Sequence, residues 1–208
     1  AFKGAGDPFA RPVPAGTLTT SLVFPPNALA AGETYRFTFN AVLASGLSSD
    51  SFVIVHTNRP PQPGSFTGSP TSGQEMTTRF TLECRSWADP DGPISYTFFA
   101  IESFPAAAAA AAAAGSDAAA VGAAIGSAAA QGAARLTLSD SAPQPRRTEL
   151  LLPIGAAAHG HKSPLAASVS DSLGATAWVG TTVEVTALGV DSEGNTNTDS
   201  SERLELVA

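Results

Sequence analysis

The sequence predicts an all-β protein of two-layer sandwiches in tandem, and three observations carry that prediction. Apolar and polar residues alternate with period two in several short runs rich in Thr, Val, Ile and Phe. Such runs are half-buried strands, because successive side chains of a strand point to opposite faces. Clusters of Gly, Pro, Asn and Asp separate the runs, as turns require. The chain has 208 residues. Setting aside one Ala-rich stretch, that suffices for one sandwich of ~100 residues and part of another.

Residues 1–16 are rich in Gly, Pro and Ala and read as a linker. Three strand signals follow, at 17–24, 34–43 and 51–57. In the second, Tyr35, Phe37, Phe39 and Ala41 alternate with Arg36, Thr38 and Asn40. Pro25-Pro26-Asn27 and Ala31-Gly32 punctuate the first gap, and Ser45-Gly46 the second. Leu29 stands six residues before Tyr35, which opens an alternating strand. That spacing resembles the tyrosine corner of fibronectin type III and immunoglobulin sandwiches, where the hydroxyl bonds back to upstream backbone. Residues 17–57 are therefore expected to be the closing strands of a first sandwich. Three strands cannot bury two inner faces, so Phe37, Phe39, Phe52 and Ile54 are expected to be covered by groups outside 17–57.

Asn58-Arg59-Pro60-Pro61-Gln62-Pro63-Gly64 marks a boundary, since its prolines remove backbone donors and stiffen the chain. Beyond it, residues 65–67 begin a second domain. Residues 77–84 form a strand with Phe80, Leu82 and Cys84 on one face. Arg85 to Pro93 is a turn by composition, and 94–101 is another strand. Residues 106–134 are nearly all Ala and Gly. Glycine costs a helix ~1 kcal/mol per site, and no large apolar stripe is present for docking, so this insertion is expected to be mobile with few core contacts. Strand signals resume at 148–152, 163–174 and 175–185, and 189–208 reads as a tail or a lead-in to a further domain. The second sandwich is thus expected over 58–188, with the Ala-rich low-complexity insertion at 106–134. Trp87 is expected to lie buried beside Leu82, Cys84 and Phe98.

The formal net charge of −7 argues against nucleic acid or an anionic membrane as partner, because both select basic patches. Cys84 is the one cysteine, so no internal disulfide or cysteine zinc site can form. Alone it favours a reducing compartment, and it equally fits half of a disulfide to a residue outside the segment. Asn27, Asn40, Asn58, Asn195 and Asn197 all fail the N-glycosylation pattern. No apolar run reaches the ~20 residues of a membrane span. The start, Ala1-Phe2-Lys3-Gly4, lacks the pattern of a secretion signal and an initiator Met, and the chain is expected to be a segment of a longer protein.

Few residues suggest site chemistry. Asp89-Pro90-Asp91-Gly92 places two carboxylates at a domain end, which suits calcium, with Asp171, Asp191 and Glu193 as further oxygen donors. The same tetrapeptide is an ordinary turn, and the Gly after Glu193 comes too early for an EF-hand loop. His159 and His161 near Lys162 are two zinc-capable ligands without a third, and an exposed loop explains them better. His56 reads as a strand-end or capping residue. No nucleophile elbow, His-Glu-x-x-His or phosphate loop is present, so no catalytic residue and no cofactor are expected. Cys84 sits mid-strand on an apolar face, the setting of an inert thiol.

One run is denser than its parts. Asn58-x-Pro60-Pro61-x-x-Gly64, Pro70 and Gly73 precede Thr78-x-Phe80-x-Leu82-x-Cys84-x-x-Trp87-x-Asp89, then Pro93, Tyr96 and Phe98. This resembles the receptor-for-egg-jelly module of polycystin-1-like proteins. The likeness is dense over 58–101, looser over 148–185, where Trp178 falls, and fold-like over 17–57. It implies tandem fibronectin-like sandwiches in the extracellular part of a large membrane protein, on cilia or flagella, acting in adhesion, ligand sensing or mechanical linkage. It also implies partners among other chains or neighbouring domains, a cation-channel subunit included. Tyr35, Leu29, Cys84, Trp87, Asp89, Tyr96 and Trp178 are expected to be structural residues. Two other readings compete: a repeat of an extracellular filament such as a flagellar hair, and an accessory module of a secreted enzyme. Flanking sequence separates them: membrane spans favour a receptor, further sandwich repeats a filament, and an adjoining catalytic domain an enzyme.

Overall fold

A computed structural model describes residue 24 and residues 28–188. The linker at 1–16, nearly all of the strand expected at 17–24 and the tail at 189–208 lie outside those residues. The chain divides into two compact units, Ala1–Arg59 and Pro60–Ala208.

In the first unit, β1 (Thr34–Val42) and β2 (Ser48–His56) form an antiparallel hairpin. Leu43 and Leu47 close the turn, where Gly46 takes φ of 85° that other residues avoid. Register decides the faces. Phe37 pairs with Val53 and Thr38 with Phe52, so Tyr35, Phe37, Phe39, Val53 and Val55 share one side. Phe52 and Ile54 lie on the other, with Arg36 and Asn40. The four side chains expected to need outside cover are therefore not one patch. Phe37 and Phe39 do not share a face with Phe52 and Ile54, and Phe39, Phe52 and Ile54 are exposed, at 59%, 56% and 50%. Phe37 is half-buried, with the Phe24 ring 5.1 Å away.

The second unit is a β-sandwich. One sheet has the order β3 (Ser65–Ser69), β5 (Phe80–Arg85), β8 (Arg146–Leu150). The other has the order β4 (Ser72–Gln74), β10 (Thr176–Thr186), β9 (Lys162–Ser170), β6 (Ser95–Ile101), β7 (Arg135–Thr137). Neighbouring strands are antiparallel except β4 and β10, which run parallel. The alternation in β5 sends Phe80, Leu82 and Cys84 inward, where they meet Phe66, Tyr96, Phe98, Leu165, Val169, Val183 and Val185. The short strands β4 and β7 carry no run long enough to show period two.

The largest departure from the sequence reading is the Ala-rich segment. Residues 106–134 hold two helices, α1 (Ala106–Ala113) and α2 (Ala118–Ala130), in the connection from β6 to β7. Asp117 caps α2 by accepting from the Ala120 amide at 2.8 Å. The helices are docked on the sheet, where few core contacts were expected. Ala108, Ile125 and Ala129 are buried with Ile101 and Ala166 in a second core cluster, flanked by Phe104, Val121 and Trp178. The cause is close approach. Gly122 and Gly126 face the β10 backbone at Val179 and Gly180, and a Cβ at Gly126 would stand 3.0 Å from Val179 Cα. A Cβ on Gly180 would stand 2.6 Å from the Ile125 Cβ. Glycines that read as helix breakers are the contact surface. With helices on one side and the sandwich core on the other, β9 is buried on both faces.

Candidate functional site

The residues singled out by sequence fall into separate places. In the first unit, the Ala30 amide donates to Tyr35 Oη at 2.7 Å, tying the strand to backbone five positions upstream. Leu29 beside it is half-buried. Cross-strand side-chain pairs line the opposite face: His56 Nδ1 with Thr34 Oγ1 at 2.9 Å, Arg36 over the Phe52 ring at 4.0 Å, and Asn40 donating to Asp50.

In the second unit, Cys84 is a buried free thiol on β5. Burial, and then the charge of Glu83, push its pKa up to about 12. A thiol held protonated at neutral pH is a poor nucleophile. Burial likewise raises the Tyr96 phenol, with Cys84 as the lesser cause. Trp87 is buried, and its Nε1 donates to the Ser65 carbonyl at 3.3 Å. Gly64 lies so close that a Cβ there would stand 2.7 Å from the Trp87 ring. It would stand closer still to the Arg85 carbonyl oxygen, so backbone and ring together give the glycine after the proline run a physical reason.

The carboxylates at the sandwich end serve turns. Asp89 Oδ1 accepts from the Asp91 amide at 2.7 Å, and Asp171 Oδ1 accepts from the Leu173 and Ala175 amides at 2.8 and 3.0 Å. Ser172 Oγ donates to the Asp91 carbonyl at 2.6 Å, so the β5–β6 connection is tied to the β9–β10 turn. Asp89 Oδ2 is buried without a hydrogen-bond partner. One such oxygen is far from the ~6–8 that calcium takes. Among the described residues no group of three or more His, Cys, Asp or Glu is placed to hold a metal. Asp191 and Glu193 lie outside the described residues.

His159 stacks on Phe104 with ring centroids 4.6 Å apart, and the two rings border an open groove of ≈ 640 Å³ together with Leu136 and Ile154. His161 takes φ of 54°, and its carbonyl accepts from the Val185 amide at 2.8 Å. The His159 ring thus has an aromatic partner, while His161 is held by its backbone and its Nδ1 is buried without a hydrogen-bond partner. Trp178 packs over the second core cluster, 5.4 Å from the Phe99 ring.

Sequence reasoning missed Arg135. Its guanidinium lies 4.8 Å from the Trp178 ring and 5.0 Å from the Phe99 ring, and it donates to the Ala129 carbonyl at 2.7 Å. One side chain therefore closes the α2 C-terminus and fastens it to the sheet. A lone Arg directly after an Ala run was the available signal.

A family model described as "REJ domain" matches residues 7–207, across both units. No curated protein matches. Among solved structures, one described as "Structural basis for the promiscuous specificity of the carbohydrate-binding modules from the beta-sandwich super family" is similar, with 18% identity and a TM-score of 0.36. The likeness covers 64% of this chain and 37% of that one.

Proposed function

Because the chain belongs to the REJ domain family, an extracellular module of polycystin-1-like proteins, we propose that it is a non-enzymatic ectodomain segment of a ciliary or flagellar surface protein. Its work there is adhesion, ligand sensing or mechanical linkage. The observation that carries this reading is the family match over 7–207. The buried, protonated Cys84 and the turn-serving carboxylates support a structural module without catalysis. Among the described residues no helix is long and apolar enough to cross a membrane. Its partners are other chains or neighbouring domains, a cation-channel subunit among them.

We divide the chain into a linker at 1–16, closing strands of one sandwich at 17–57, a REJ-type sandwich at 58–188 with an insertion at 106–134, and a tail or lead-in to a further domain at 189–208. The separation of compact units after Arg59 supports that division. The test is surface labelling of the tagged full-length protein on intact ciliated cells. Labelling along the cilium without permeabilisation is the expected result, and labelling only after permeabilisation overturns the reading.

A second reading, a repeat of an extracellular filament, is favoured by the exposed Phe39, Phe52 and Ile54, since large bare apolar side chains mark contact surfaces. Negative-stain microscopy of the secreted full-length protein separates the two: filaments support the second, single particles the first.

A further inference from the structure

We draw no further inference here: the strongest candidate, the exposed apolar side chains Phe39, Phe52, Val53 and Ile54 on the two faces of the β1–β2 hairpin, carries nothing because nothing in the structure shows what covers it.

Discussion

The β1–β2 hairpin and the α1–α2 layer differ in how much of their apolar side-chain surface is buried. The hairpin has strong alternation and large aromatic residues, yet Phe39 and Phe52 stand more than half exposed. The helical layer is low-complexity Ala and Gly, yet Ala108, Ile125 and Ala129 are at most 1% exposed. Side-chain size measures how much apolar area a residue can bury, not how much it does bury. Burial needs an opposing surface at contact distance. Gly122, Gly126 and Gly180 allow backbones to supply that surface, whereas among the described residues the hairpin is a sheet of two strands.

Substitutions can break or sharpen this contrast. The reference is the sandwich core, where Trp87→Ala is expected to cost ~3–5 kcal/mol in urea unfolding, as for other buried aromatics. If the helical layer is a true second core, Ile125→Ala should cost ~2–4 kcal/mol, and replacing 106–134 with a short Gly-Ser bridge at least as much. Shortening a loop changes closure entropy only weakly, so a bridged variant within ~1 kcal/mol of the parent would show the layer to be slack.

Cys84 reports the sandwich core independently. Its pKa is raised in the folded state to about 12, so the folded chain favours the protonated thiol. Below the unfolded-state value of ~8.5 both states are protonated and the group adds no pH dependence. Above it the unfolded chain loses the proton first, and stability falls as pH rises from about 9 towards 12. Comparing unfolding midpoints of the parent and Cys84→Ala at pH 8 and pH 10 checks this: the parent should lose more. Equal losses would mean the thiol is open to solvent.

The smallest effect is expected on the hairpin. Phe52→Ser and Phe39→Ser should change stability by no more than ~0.5 kcal/mol, as for other exposed sites. A loss above ~2 kcal/mol in the full-length protein, with the small value kept in this chain, would show that the parent covers these side chains. Equal small values in both would leave the contrast standing.

Legibility followed the type of signal. The all-β class and the family were readable, because period two over Phe80, Leu82 and Cys84 and the spaced Trp87-x-Asp89 motif are local patterns. The strands β4 and β7 were not, because Ser72–Gln74 and Arg135–Thr137 are too short to show a period and exist only through their partners. At the sandwich end, Asp89-Pro90-Asp91-Gly92 is turn-like by composition, but nothing local shows that Ser172 ties it to another turn.

By itself, then, the sequence determined the class, the family and the inward face of β5, since these depend on what each residue places on its own strand. Tertiary structure decided the rest. It put Phe52 and Phe37 on different faces of the hairpin, because one residue of register exchanges the faces of a strand. It joined Arg135 to Trp178, and it turned the Ala-rich run into a packed layer. The physical reason is that Ala and Gly carry almost no side-chain signal of their own. What they bury is set by the backbone they approach, and here that backbone, Val179 and Gly180, comes from a distant part of the chain.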